Sequence, residues 1–480
     1  FISRCRKTEL SPQTLLQQIA VHKSKWQVEA DFLDIMVELY GDYLTCLKVE
    51  GKEDFDGLLR RATAEIAAGQ TEFTRFMKKQ HGDLAKLRFL LIDEYQDFSK
   101  LFHSMVEAIR QRNTDLKLFC VGDDWQAING FAGSDLSYYE NFSSNFPNSK
   151  QLQISTNYRS AKGVVAVGNA VMRGRGKPAI AHSADSGHVW MAMPGLFAPT
   201  VNEQTRHGDD KITPMVLRLA AWALERNQDI VVLCRTQNPL GFVNYKAHQG
   251  ADGGSQDNGI ERFQVLLRSY FPEHLRSKIK VSTAHGFKGL QGSVVVILDA
   301  VAGCYPLIHQ DWIFLRLFGE SVQTITDEAR RLFYVALTRA VDSLVIFTDG
   351  NKKSPFLADV EQHFPLRSIK WADFAAVAAK SDRLKVFVGN QLDRGSSPTH
   401  AIKDFVQQDG YKRSSLYGNF CWVRSFAQSD LNINTLTSSK WSECADGVEV
   451  HILDEQDNLV GNYRIDAGKW TALMEYSSKA

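Results

Sequence analysis

Two apolar runs in this chain stop abruptly in carboxylates and amides: Leu90-Leu91-Ile92-Asp93-Glu94-Tyr95-Gln96-Asp97, then Phe119-Cys120-Val121-Gly122-Asp123-Asp124-Trp125-Gln126. A buried parallel strand delivers polar groups to the carboxyl edge of an α/β sheet in this way. Adjacent Asp93 and Glu94 suit nucleotide hydrolysis. One carboxylate can hold Mg²⁺ while the other orients or deprotonates the attacking water, and Gln126 at the neighbouring strand end can report on a γ-phosphate. Acidic residues also punctuate ordinary strand ends, so Asp93 and Glu94 alone do not decide the chemistry. The second strand end weighs towards it.

Four further segments carry reactive groups, and each has a plain structural alternative. Thr156-Asn157-Tyr158-Arg159-Ser160 offers a ring that can stack on a base and a permanently charged guanidinium suited to phosphate, although a Tyr-Arg pair is often mere surface. Val281 to Gln291 follows a strand with hydroxyl, imidazole and the close glycines Gly286 and Gly289. Such a turn can bring backbone N–H groups against phosphates, or be a simple strand-to-helix turn. Glu328 to Arg339 reads as an amphipathic helix whose arginines are solvated charges or a finger reaching a γ-phosphate. Asp54 to Leu59 reads as a helix start with Asp54 near the N-cap.

The elements that must position these groups follow from periodicity. Residues 1–85 read as helices, with Leu15, Leu16 and Ile19, then Phe32, Leu33, Ile35, Met36, Leu39 and Tyr40, at helical spacing. From Leu87 the pattern becomes short strands alternating with helices: Leu87 to Ile92, Lys117 to Val121, Ile230 to Cys234, Ile279 to Thr283, Val294 to Leu298 and Leu344 to Thr348. That alternation predicts an α/β protein with parallel sheets. Gly174 to Gly187, His248 to Gly259 and Asp393 to Pro398 are rich in loop formers.

Composition sets the outer limits. The chain has 480 residues, 44% hydrophobic and 23% charged, enough for about three domains with their own cores. With 56 basic and 55 acidic residues, net charge neither supports nor excludes a polyanion partner. Seven scattered cysteines without a C-x-x-C pair favour reduced thiols and a cytoplasmic protein over a disulfide framework or a zinc site. No apolar run approaches the roughly 18 residues of a membrane span, so no membrane partner is expected.

Taken in order, these segments resemble the UvrD-like superfamily 1 DNA helicases, and within them the helicase IV type. The likeness runs from Asp54-Phe55-Asp56-Gly57-Leu58-Leu59 through Ile92 to Asp97 (motif II), Val121 to Ile128 (motif III), Asn157 to Ser160 (motif IV), Thr283 to Gln291 (motif V) and Arg330 to Ala340 (motif VI). It implies two RecA-like parallel-sheet lobes, the first one incomplete, with a small C-terminal α+β module. The implied organisation is a helical 1B-like segment over 1–85, the end of lobe 1A over 86–145, lobe 2A with a reduced 2B insertion over 146–365, and an accessory module over 366–480.

The resemblance also implies roles. Asp93 would coordinate Mg²⁺, Glu94 would activate water, and Gln126 would contact the γ-phosphate of ATP. Tyr158 would stack on adenine, Gly289 and Gln291 would belong to the nucleotide-binding turn, and Arg159 and Arg339 would stabilise charge on the transferring phosphoryl group. Phe131 would stack on a base, with Thr283 and His285 touching the DNA backbone. The implied partner is single-stranded DNA or a duplex with a 3′ overhang, worked in the 3′ to 5′ direction by a monomeric or weakly self-associating protein.

Several features depart from the family pattern. Asn129 stands where Tyr is usual, Ala132 where Arg is frequent and Gln291 where Glu is usual, which weakens the expected grip on DNA more than that on ATP. Only 122 residues separate Ser160 from Thr283, too few for a large accessory domain. Gly-Lys occurs at Gly51-Lys52, Gly176-Lys177 and Gly468-Lys469, never followed by Ser or Thr, so no phosphate-binding P-loop is present. The expectation is therefore an ATP-dependent DNA helicase present as a fragment and inactive by itself. The alternatives are a non-hydrolysing DNA-binding or regulatory protein, or one half of a split motor.

Beyond the resemblance, Leu384 to Val388, Phe420 to Arg424, Val448 to Ile452 and Leu459 to Ile465 read as strands, Asp454 to Asn458 as a hairpin loop, and Pro398 to Gln408 as a helix.

Overall fold

The computed structural model describes residues 1–75, 77, 79–238, 259–377, 383–392, 397–418, 420–427, 430–454 and 457–476. The predicted loop His248 to Gly259 lies outside these residues except for Gly259, which opens the helix Gly259–Ser269, and most of Asp393 to Pro398 lies outside them too. The described residues fall into two compact units. The first takes in Phe1–Phe197, Val231–Leu240 and Ser282–Ile369; the second takes in Ala198–Ile230, Gly241–Val281 and Lys370–Ala480. The predicted segment 146–365 is thus shared between the two units.

Within the first unit, helices occupy Ile2–Lys7, Pro12–Val21, Gln27–Val49 and Phe55–Ala67. Asp54 caps the last of these through the Gly57 N–H and is itself held by two bonds from Arg6, at 2.9 and 2.6 Å. The all-helical expectation for 1–85 needs correction. Glu72–Arg75 and Gln80–Asp83 form an antiparallel hairpin whose Phe73 ring lies over Gly82, where any β-carbon would collide with it. Its strands are four residues long and largely exposed, too short to impose a visible alternation.

Phe89–Ile92 and Lys117–Cys120 form a parallel pair in which Ile92 lies opposite Cys120, so both motif-bearing strand ends finish at one level. A six-stranded sheet carries motifs V and VI, in the order Arg367–Ser368, His188–Ala192, Ala340–Phe347, Gly292–Ile297, Ile230–Cys234, Ile279–Thr283. The pairings of Ala340–Phe347 with both its neighbours are parallel. The helices Lys162–Val171, Val322–Leu337 and Pro355–Glu361 contribute Val164, Val167, Leu332, Phe333, Ala336, Phe356 and Leu357 to its core. Val322–Leu337 starts six residues ahead of the predicted Glu328, because Ser321 and Thr324 exchange side-chain-to-backbone bonds of 3.1 and 2.8 Å at its start. The predicted loop Gly174 to Gly187 contains a short strand, Ile180–Ala181, paired parallel with Thr156–Asn157 and steadied by the Asn169 carboxamide on Ala179.

In the second unit a six-stranded antiparallel sheet runs Lys412–Tyr417, Phe420–Ala427, Arg383–Asn390, Val448–Leu453, Leu459–Asp466, Lys469–Met474. Its two outermost strands escape the sequence pattern, Lys469–Met474 because it is exposed almost throughout. The predicted helix Pro398 to Gln408 is two helices, Pro398–Ala401 and Lys403–Gln408, broken at the buried Ile402. Thr399 is tied through its N–H and hydroxyl to Asn390, both at 2.9 Å, which fixes the first turn.

Candidate active site

The two strand ends of the parallel pair are sewn together by polar groups. Val121 N–H donates to the Ile92 carbonyl at 2.9 Å and Tyr95 N–H to the Val121 carbonyl at 2.8 Å, which extends the ladder past the strands. Asp93 and Glu94 stand exposed at the edge, and Glu94 adopts a left-handed backbone, φ +52°, that non-glycine residues rarely hold. Such strain persists where the surroundings over-determine it. Here the Asp93 carboxylate accepts from the Glu94 N–H at 2.9 Å, and the Glu94 carboxylate accepts from the Gln96 carboxamide at 2.5 Å.

Gln96, 1% exposed, begins a continuous relay. Its oxygen accepts from the Asp123 N–H at 3.0 Å. The Asp123 carboxylate accepts from Trp125 N–H at 3.0 Å and from the Gln126 Nε2 at 2.6 Å. The Gln126 oxygen in turn accepts from Arg339 Nη2 at 3.0 Å. Motif II is thereby joined through motif III to motif VI across 213 residues of sequence between Gln126 and Arg339.

Arg339 is 1% exposed, yet its remaining donors meet only carbonyls: Nε on Val335 at 3.1 Å and Nη1 on Leu290 at 3.2 Å. Burial, then the like charge of Arg159, pushes its pKa down to about 10, so it stays charged at neutral pH. A buried guanidinium that hydrogen-bonds only neutral oxygens, with the Glu94 and Asp123 carboxylates acting on it at longer range, can take an anionic acceptor such as a phosphoryl group.

The other expected nucleotide residues sit nearer solvent. The Asn157 carboxamide accepts from the N–H groups of Arg159 and Ser160, at 3.0 and 2.9 Å, in a turn that leaves both Tyr158 and Arg159 exposed. Tyr158 is 71% exposed with its ring against His182. Gly289 has φ +80° with open space where a side chain would stand, and Gln291 is exposed.

Among the residues expected to meet DNA, Phe131 is 62% exposed and meets the His285 ring edge-on at 5.5 Å. Burial, reinforced by Arg235 and Lys288, lowers the His285 pKa to about 4, so this imidazole is neutral at neutral pH. The Thr283 hydroxyl accepts from the Gly286 N–H at 2.9 Å and shapes the turn beneath it.

Sequence reasoning quoted Asp97, Lys288 and Asn129 without seeing that they meet. Asp97 Oδ2 accepts from Lys288 Nζ at 2.5 Å and from the Asn129 carboxamide at 2.9 Å, which ties motifs II, III and V. Asn129 was read only as a lost ring; its actual bond is to this carboxylate. A lysine beside motif-V glycines and a second acid three residues after Glu94 were the available signals.

Asp93 fits Mg²⁺. Among the described residues no group of three or more His, Cys, Asp or Glu side chains could cage a metal. Mg²⁺ needs no such cage, since it keeps waters and phosphate oxygens and takes one or two carboxylates.

Residues 1–147 match the UvrD/REP helicase N-terminal domain and residues 264–350 the UvrD-like helicase C-terminal domain. DNA helicase IV of Escherichia coli is 25% identical over 328 residues, 68% of this chain and 41% of that protein. The putative ATP-dependent DNA helicase YjcD of Bacillus subtilis is 25% identical over 66% of this chain and 39% of its own length. A solved C-terminal domain of a possible DNA helicase from Lactobacillus plantarum covers 42% of this chain at 13% identity and a TM-score of 0.25, too low to carry an argument. The chain spans about two fifths of the length of helicase IV and YjcD. The two matches take in motifs II and III and motifs V and VI respectively, so these parts of the chain are similar to the N- and C-terminal domains of UvrD-like helicases.

Proposed function

We propose that this chain is the hydrolysis-sensing and DNA-facing portion of an ATP-dependent DNA translocase that moves 3′ to 5′ on single-stranded DNA or from a 3′ overhang. The observation that carries this reading is Arg339, a buried guanidinium whose hydrogen bonds among the described residues all go to neutral oxygens and which is joined by the Gln96–Asp123–Gln126 relay to the Glu94 carboxylate. Mg²⁺, when bound, offsets phosphate charge, and Asp93 is the residue that would hold it. Glu94 orients the attacking water and takes its proton. Arg339 and the exposed Arg159 stabilise charge on the phosphoryl group in transfer, Gln126 registers its presence, and Tyr158 stacks on adenine. Phe131 stacks on a base while Thr283 and His285 face the DNA backbone. A monomeric state and a cytoplasmic setting belong to the same proposal, the latter supported by the seven scattered cysteines.

The test is single-stranded-DNA-stimulated ATP hydrolysis by the reading frame that encodes this chain, as wild type and as Glu94→Gln. The expected result is DNA-stimulated hydrolysis that Glu94→Gln lowers by at least ~100-fold without loss of DNA binding. A protein that binds DNA but hydrolyses no ATP would make the motifs a binding scaffold and sink the motor reading.

A further inference from the structure

The helix Val322–Leu337 and the Arg339 that follows it hold the segment 126–131 at three places. Arg339 holds the Gln126 carboxamide at 3.0 Å, and Arg331 Nε donates to the Ala127 carbonyl at 2.7 Å. Nearer the start of the helix, the Glu328 carboxylate packs against the backbone at Gly130, so close that a β-carbon there would overlap its Oε2, and the neighbouring Phe131 N–H favours its charged form. Arg4 braces the same spot, donating to the Gly130 carbonyl and pairing with Glu320. Glu328 is half-buried, and burial raises its carboxyl pKa above the usual range even with Arg331 and Arg4 nearby. A half-buried acid with no salt bridge among the described residues is costly to keep. What it does here is fix the backbone of the residue whose ring is 62% exposed.

We propose that Glu328 is a positioning residue that clamps the Gly130–Phe131 backbone to the helix that leads into Arg339, so that displacement at the phosphoryl side is passed to the exposed ring. This rests on the base-facing reading of Phe131. One rigid helix then touches both sides: Arg339 reports to Gln126, and Glu328, three turns earlier, carries the same movement to Phe131. The Glu328 side chain also lines a cavity of about 560 Å³ with Arg4, Gln96, Asn129 and Arg331, which leaves it room to swing aside when pushed.

That room supplies the test. In the full 480-residue chain, Glu328→Ala, Glu328→Gln, Gly130→Ala and the Glu328→Ala/Gly130→Ala pair are compared by amide hydrogen exchange over 126–134 and by binding of fluorescent oligo(dT), with Phe131→Ala as reference. Glu328→Ala is expected to speed exchange across the segment and weaken oligo(dT) binding about 3- to 10-fold, towards the loss seen for Phe131→Ala. Glu328→Gln keeps an oxygen acceptor and is expected to stay within about twofold of wild type. Gly130→Ala should copy Glu328→Ala by pushing the carboxylate away, yet add nothing once the carboxylate is gone. Exchange unchanged in Glu328→Ala, failure of Glu328→Gln to restore it, or an undiminished Gly130→Ala effect in the pair would each overturn the clamp. Exchange that behaves as expected while Phe131→Ala leaves oligo(dT) binding unchanged would uphold the clamp and overturn the base-facing reading instead.

Discussion

Two parallel β regions present polar residues at their carboxyl ends, and they are held in place by different physics. In the six-stranded sheet every residue of Ile230–Cys234 is fully buried. In the parallel pair Phe89–Ile92 and Lys117–Cys120, Leu91 is 70% and Phe119 58% exposed. Both read alike in sequence as continuous apolar runs. In the first, close packing on both faces holds the strands. In the second, much of the order at the strand ends comes from hydrogen bonds made by the chemistry-bearing residues themselves, Gln96 and Asp123 above all. A site of that kind is stabilised and disabled by the same side chains.

That contrast can be broken most sharply in the cores. Leu233→Ala in the covered sheet is expected to cost about 2–5 kcal/mol in urea denaturation, because a filled site becomes a cavity. Leu91→Ala, at a position already facing solvent, should cost less than about 0.5 kcal/mol. Equal losses would show that the two regions are packed alike. Gln96→Ala tests the polar side of the comparison: it removes the buried carboxamide that serves the Asp123 N–H and the exposed Glu94 carboxylate. The expected loss is about 1–3 kcal/mol, with a parallel loss of any ATP hydrolysis; a variant as stable as wild type would remove the relay from the account.

The smallest effect concerns pH. The folded-state pKa of His285 is about 4, below its ordinary value of 6.5, so between those values the unfolded chain binds the extra proton. Stability from keeping this ring neutral is therefore fully present above about pH 6.5 and drains away as pH falls towards 4. Replacing His285 with Asn should flatten the stability profile in that window, and an unchanged slope would show that the ring titrates normally.

The strand ends were legible because an apolar run breaking into carboxylates is a local pattern: the structure places Ile92 opposite Cys120, as the paired runs implied. The helix ahead of Arg339 was legible from its apolar stripe, although its start, set by the Ser321–Thr324 cap, and its end at Leu337, two residues short of Arg339, were not. The hairpin at Glu72–Arg75 and the edge strand Lys469–Met474 were invisible, since exposed strands need no alternation. Asn129 was readable only as a departure, because its partner Asp97 lies 32 residues away.

The sequence by itself determined which groups are available: Asp93 and Glu94 at a strand end, Gln126 at the next, and a guanidinium at the foot of an amphipathic helix. Those follow from near-neighbour periodicity, which needs no knowledge of the rest of the chain. Only the tertiary structure decided which of them meet. The burial of Arg339 against Gln126, the pairing of Lys288 with Asp97 across 191 residues and the seat of Glu328 against Gly130 depend on elements brought together by packing, and no local pattern encodes the distance between them.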